Sequence, residues 1–373
     1  MRAPQLLNQW SKQQREMLLL FAFLLSFARV AMCNQAQQDS IVFHDARQFV
    51  IIGQCHNEKN YQRLPMRYKG IVRDQVWMES LCSAGISIRF RTNATTIHVK
   101  WKLPVYEKSW NHSSSGVDGI DLYAYNGNGW QYVNTGLAKD TANDFILIHH
   151  GDAVYREYLL NLPLYNTALT LSIGINAGAT IDNPQQKLLT EKKPVVYYGS
   201  SIAQGGSASR PGLAYTNILS RKLDRSFMNM GFNGEGTFDS SVGLAMSDID
   251  AALFIIDCTP NSKKEIIYQR AVALVKLLKE KKPTTPVLLV EGYHYDNTFF
   301  EKNGAANVDA KRAELKKAYD TLIKAGIKEL YYKKGDGLTG SDHEATIDGV
   351  HLDDIGMQRF AEQMLPMIQL ILK

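Results

Sequence analysis

The residues best placed to do chemistry begin at Gly199-Ser200-Ser201, where the apolar run Val195-Val-Tyr-Tyr198 breaks and a helix-like segment restarts at Ile202. Strand, tight turn and helix in that order present a small hydroxyl at the carboxyl edge of a parallel sheet, with backbone N–H groups behind it. A serine there can attack a carbonyl while those N–H groups hold the oxyanion. The tripeptide also occurs in plain turns, so a base, an orienting acid and further donors must come from elsewhere. Asp348 and His351 stand three residues apart ahead of the last helical segment. That step sets carboxylate beside imidazole, where it can fix the tautomer and stabilise the imidazolium. Asn233 and Gly234, Asp257 and Asn261, and Glu291 and His294 follow other apolar runs. Gln204 and Arg210, just past the serine, could line a site, although Arg210 could equally pair with a carboxylate and brace the turn. Glu291 and His294 are candidate pocket residues, with Glu291 also able to cap a strand end. The histidines show no metal-ligand spacing, and His149-His150 reads as a strand end, so no metal or other cofactor is expected.

The elements that must position these groups fall into two halves. From Lys192 onward, strands and helices alternate. Apolar strands are read at 195–198, 226–230, 252–256, 286–290 and 329–332, and helices at 214–223, 263–281, 309–325 and 354–372. Asn261 or Ser262 could cap the second helix. Continuous apolar strands with helices between them describe a parallel sheet covered on both faces, with Lys192-Lys193-Pro194 as linker. The first half reads as short strands without a convincing helix. Gly85 to Thr92 and Thr95 to Lys102 alternate apolar and polar around Asn93-Ala94, and further runs lie at 120–125, 129–133, 144–149 and 168–175. This spacing suggests a β-sandwich of jelly-roll type. Its aromatics Trp77, Trp101, Trp110, Trp130 and Tyr132 could stack on sugars or simply pack. The polar loop Asn111 to Gly116 could reach the other domain's site.

The chain has 373 residues, 45% hydrophobic and 21% charged, which is enough for two full cores. A net charge of +5 with scattered Lys and Arg argues against nucleic acid as a partner. Residues 1–33 read as an export signal: Arg2, Lys12 and Arg15 precede the apolar run Met17 to Ala28. Cys33 after Val30-Ala31-Met32 resembles a loose lipoprotein box, which makes it a candidate lipid anchor. Export would place Cys55 and Cys82 in an oxidising compartment, where they could pair or stay as small buried hydrophobes.

The second half resembles an SGNH (GDSL-type) hydrolase, whose fold is a flavodoxin-like three-layer α/β/α sandwich. Gly199-Ser200-Ser201-Ile202 matches the first block, with Ser201 at the nucleophile position and Ser200 in place of the usual Asp. Asn229-Met-Gly231-Phe-Asn-Gly234 matches the second block, and the resemblance makes Gly234 an oxyanion donor. Thr259-Pro260-Asn261 falls where the third block carries its oxyanion-hole asparagine. Asp348-Gly-Val-His351 matches the last, with His351 as base and Asp348 as its partner, and Leu352 stands where a proline is common. The first half resembles the sandwich preceding one secreted branch of these hydrolases. Gly119-Ile-Asp121-Leu122-Tyr123 carries its signature, and Arg156-Glu-Tyr, Leu162-Pro-Leu-Tyr165 and Ser209-Arg210-Pro211-Gly212 are also similar. The implied architecture is a sandwich domain over 40–185 and a hydrolase domain over 190–373. The implied activity is a bacterial esterase, periplasmic, extracellular or lipid-anchored, removing small acyl groups from carbohydrates. A lipid or aryl ester acylhydrolase and a catalytically silent glycan-binding protein are the alternatives.

Overall fold

The computed structural model describes residues 40–373 apart from 56, 57, 59, 107 and 108, together with helical positions 16, 17, 19–23 and 25. Apart from those helical positions, the expected leader and Cys33 lie outside the described residues.

The first domain packs two antiparallel sheets face to face. Its strands are β1 (Ile41–Asp45), β2 (Val50–Ile52), β3 (Ser87–Thr92), β4 (Ile97–Lys102), β5 (Ile120–Tyr125), β6 (Trp130–Gly136), β7 (Ala142–Ile148), β8 (Arg156–Asn161), β9 (Thr170–Asn176) and β10 (Ile181–Asp182). One sheet has the order β1-β9-β4-β7 and the other β10-β3-β8-β5-β6, with β2 paired to β3. The alternation in β4 turns Ile97, Val99 and Trp101 inward and leaves Lys100 and Lys102 outside. The inward side chains meet Ile88, Phe90, Leu122, Leu160 and Ile173 from the two sheets in one apolar core. Strands β3 and β4 are consecutive yet lie in opposite sheets, so Asn93-Ala94 turns a corner between sheets and closes no hairpin.

Two helices interrupt this half, contrary to the reading of strands alone: α1 (Asp74–Ser80) and the single turn α2 (Ser114–Val117). Val76 and Trp77 of α1, with Leu64, Tyr68 and Val72 before it, are buried in the core of the second domain. Cys55 and Cys82 form no disulfide, and Cys55 packs against that same core.

The second domain alternates as expected, with α5 added between the second and third strands and α7 starting seven residues before the expected 309: β11 (Val195–Gly199), α3 (Ser201–Gln204), α4 (Tyr215–Leu223), β12 (Phe227–Gly231), α5 (Ser240–Ser247), β13 (Leu253–Asp257), α6 (Lys264–Lys281), β14 (Val287–Val290), α7 (Lys302–Lys324), β15 (Leu330–Lys333) and α8 (Asp354–Ile371). The sheet is parallel with the order β12-β11-β13-β14-β15, which is the flavodoxin-like 2-1-3-4-5 winding. Helices α4 and α8 cover one face over Val195, Tyr197 and Ile255. Helices α5, α6 and α7 cover the other over Val196, Tyr198 and Ile256. Both faces are therefore buried, which is why these strands read as unbroken apolar runs. The side-chain caps expected for α6 are absent because both residues are used elsewhere. Asn261 Oδ1 accepts from the Gly236 N–H at 3.2 Å, and Ser262 Oγ donates to the Cys258 carbonyl at 2.8 Å.

The domains are latched together by the Gly-Ile-Asp-Leu-Tyr stretch. Asp121 on β5 is fully buried; its Oδ2 accepts from Arg210 Nη1 at 2.7 Å and from the Gly212 N–H at 2.8 Å. Its Oδ1 accepts from Asn161 Nδ2 at 2.7 Å. Arg210 also donates to Tyr123 Oη at 2.6 Å and lies over the Tyr132 ring. A carboxylate out of water needs a charged partner and filled lone pairs, and this one has both.

Candidate active site

The carboxyl ends of β11, β12 and β13 meet at one edge, since Gly199 pairs in register with Gly231 on one side and Asp257 on the other. The chain turns there through Ser200, which caps α3: its hydroxyl accepts the Ile202 N–H at 3.3 Å. Ser200 is thus engaged locally, while the Ser201 hydroxyl lies 3.0 Å from His351 Nε2. His351 Nδ1 donates to Asp348 Oδ2 at 2.8 Å, which leaves Nε2 to face the hydroxyl. The carboxyl group also accepts the N–H groups of His351 (2.7 Å) and Val350 (3.0 Å) on Oδ1, and the Asn111 amide (2.9 Å) on Oδ2. Partial burial opposes ionisation of Asp348, but these donors outweigh it and hold the carboxyl well below the usual carboxylate range.

The residues expected to hold an oxyanion lie on the turn after β12 and at Asn261. Asn233 N–H donates to Gln204 Oε1 at 3.0 Å, and Gly234 follows with φ +72°, a conformation that favours glycine. With its carbonyl taken by Gly236 N–H, Asn261 keeps its amide NH2 as a donor. The fully buried Arg63 steadies the end of β12 from the first domain, donating to the Gly231 carbonyl and lying 4.9 Å from the Phe232 ring. Gly206 is required by close approach, because a Cβ there would meet Tyr165 Oη at 2.7 Å and the His351 ring at 3.2 Å.

Ser201, His351 and Asp348 are therefore brought into one hydrogen-bonded series, with Gly234 and Asn261 on loops flanking the serine's turn. The four residues considered for substrate contact are not brought to the His351 cavity. Gln204 is fully buried and bridges Asn233 to the Leu164 carbonyl (3.1 Å). Arg210 is consumed by the Asp121 latch. Glu291 accepts from Tyr332 Oη at 2.6 Å and from Gly335 N–H at 3.0 Å, so it caps a strand end. His294 pairs with Asp309 at 2.8 Å and lines a separate cavity with Asp296 and Phe299.

The polar loop from Asn111 does reach the second domain's site, as expected, but sequence reasoning assigned no role to the individual residues that the first domain supplies. Asn111 meets Asp348, and Ser207 Oγ donates to the Asn111 carbonyl at 2.8 Å. The His112 ring sits 4.5 Å from Tyr165 and 5.7 Å from His351. Burial pushes the His112 imidazole down from its ordinary value, which keeps a second positive charge away from His351. Tyr165 Oη donates to the Ser201 carbonyl at 3.0 Å. The polar run Asn111 to Gly116 was the one available signal.

Asp257 does not face the site. Its carboxyl is buried under the sheet edge and accepts from Tyr197 Oη at 3.1 Å, and burial, against that bond, pushes it up to about 7. The folded chain therefore holds this proton where an unfolded chain (~3.9) has lost it. The stability so contributed is full below about pH 4 and is lost as pH rises through about 7. Asp257→Asn is expected to flatten the thermal midpoint between about pH 4 and pH 7. An undiminished slope in the variant would contradict this account.

A parallel 2-1-3-4-5 sheet with a serine, imidazole and carboxylate in series at its carboxyl edge belongs with the carboxylic ester hydrolases. The model of the GDSL-like Lipase/Acylhydrolase family matches residues 192–369, and that of the N-terminus of SGNH-hydrolase-type esterases matches 41–181. The crystal structure of a Bacteroides ovatus protein named a GDSL-like lipase is 32% identical, covering 89% of this chain and 98% of its own, with a TM-score of 0.86. The chain belongs to the GDSL-like lipase/acylhydrolase family. The fold alone is shared with two more distant structures. A salicylyl-acyltransferase from a tetracycline biosynthetic pathway is 16% identical over 89% of this chain and 95% of its own, with a TM-score of 0.69. A family two carbohydrate esterase from Clostridium thermocellum in complex with cellohexaose is 14% identical over 77% and 92%, with a TM-score of 0.54. A search among curated proteins finds no match to the chain.

Proposed function

We propose that this protein is an exported serine esterase that removes small acyl groups, acetyl foremost, from carbohydrates. The observation that carries the reading is the unbroken series Ser201–His351–Asp348 beside an open cavity. His351 Nε2 takes the Ser201 proton as Oγ attacks the ester carbonyl. The oxyanion is held by the N–H groups of Ser201 and Gly234 and the side-chain amide of Asn261. His351 then gives the proton to the leaving alcohol, and a water deprotonated by the same imidazole discharges the acyl-enzyme. The sugar as alcohol is supported by the leader pattern and by the carbohydrate esterase that shares the fold.

The test is hydrolysis of nitrophenyl esters of rising acyl length, followed by acetylated xylan. Acetate turned over fastest, a fall by butyrate, and acetate released from xylan are the expected results. A preference for long or aryl acyl groups would replace the reading with a lipid or aryl ester acylhydrolase. No turnover of any ester by folded protein would favour a glycan-binding role.

A further inference from the structure

The aromatics of the first domain divide sharply in their surroundings. Trp77 and Trp101 are buried in the two cores, Trp130 is half-buried beside Arg89, and Tyr132 lies under Arg210. Trp110 is different: it is 86% exposed. It lines a cavity of about 380 Å³ together with Asn111, His112, Tyr165, Asn233 and His351. A large apolar ring held in water at the mouth of a catalytic cavity is poorly explained by packing, because burying it would have been favourable.

Its place relative to the reacting atoms is fixed by its neighbours in sequence. Asn111 is bonded to Asp348 through its side chain and to Ser207 through its carbonyl, and His112 is bonded to Ser207 and seated against Tyr165. The loop continues into Ser113 and Ser115, whose hydroxyls both donate to the Ser209 carbonyl. The chain at Trp110 is therefore tied down by the residues that follow it, and the ring shares a cavity wall with the imidazole, on the opposite domain from the serine.

We propose that Trp110 is the platform on which a pyranose ring of the leaving alcohol stacks. The inference rests on the carbohydrate esterase reading above. In that reading the acyl group lies between Ser201 and the oxyanion donors, and the alcohol oxygen must sit at His351, which protonates it. A wall beside His351 thus meets the alcohol and not the acyl group. The apolar C–H face of a pyranose fits a flat indole, while the ring N–H and the exposed Asn233 of the same cavity offer hydrogen-bonding groups to its hydroxyls.

The experiment compares wild type, Trp110→Ala and Trp110→Phe on methyl tri-O-acetyl-β-xylopyranoside and on ethyl acetate, whose alcohol has no ring to stack. Trp110→Ala is expected to lose about 10-fold or more in kcat/KM on the xyloside, chiefly through KM, as anchor residues of this type do. Trp110→Phe should recover most of it, and ethyl acetate turnover should stay within about twofold in both variants, which also reports intact folding. An unchanged xyloside kcat/KM in Trp110→Ala, or an equal loss on both esters, overturns the platform while leaving the esterase reading in place. Wild-type turnover of ethyl acetate with none of the xyloside removes the carbohydrate reading, and the platform with it.

Discussion

Ser201→Ala is expected to lower kcat for ester hydrolysis by about 10⁶-fold, the scale on which a nucleophilic serine contributes when its base stays in place. The change removes one atom from a nearly buried side chain and leaves the fold-bearing bonds untouched: the Ser201 carbonyl still accepts from Tyr165 and from Gly206 N–H. The backbone N–H at the start of α3 also remains, so KM should move little. Ser200 cannot substitute, since its hydroxyl caps the Ile202 N–H and the bond facing His351 comes from the next residue. Rates with nitrophenyl acetate, beside circular dichroism and a melting curve, check both halves of the expectation. Activity that survives in Ser201→Ala but vanishes in Ser200→Ala would move the nucleophile by one residue.

Asp348→Asn is expected to cost about 10⁴-fold in kcat with the fold retained. The carboxylate receives four donors, and asparagine offers one oxygen and one NH2 in the same space. If that oxygen keeps the two backbone N–H groups, the NH2 meets both the Asn111 amide and His351 Nδ1. The imidazole then carries its proton on Nε2, where it faces Ser201 as a donor and cannot act as base. Because Asp348 is held far below the ordinary carboxylate range, its own protonation does not set the acid side of the wild-type rate profile. Measured kcat and KM across pH test this: a variant within tenfold of wild type would mean that the imidazole is oriented by other contacts.

Much of the second domain was legible because each of its strands is covered on both faces and so reads as one apolar block, as in Val195–Gly199 and Leu253–Asp257. Helix α5 was not legible: its eight residues include three serines and Gly243, which leaves no periodic stripe to read. Ser201, Asp348 and His351 carried a local signal in their spacing. Gln204 and Arg210 were near the serine in sequence, but proximity does not give direction, and their side chains point to Leu164 and Asp121 instead. Asn111 was legible only as the start of a polar loop expected to reach the other domain's site. Its pairing with Asp348 joins residues 237 apart, on different domains, and that particular contact leaves no local pattern to read.

The buried Asp121 has a practical consequence for anyone recombining members of this family. The linker at 192–194 invites a crossover, yet the carboxylate lies on one side of it and its partners, Arg210 and the Gly212 N–H, on the other. A chimaera whose second parent lacks that arginine would strand an ion in a dry seam, a defect of about 3–5 kcal/mol. The same crossover would draw Asn111 and its partner Asp348 from different parents. Parents must therefore be matched at 119–123 and 209–212 together, as though those nine positions were inherited as a single cassette.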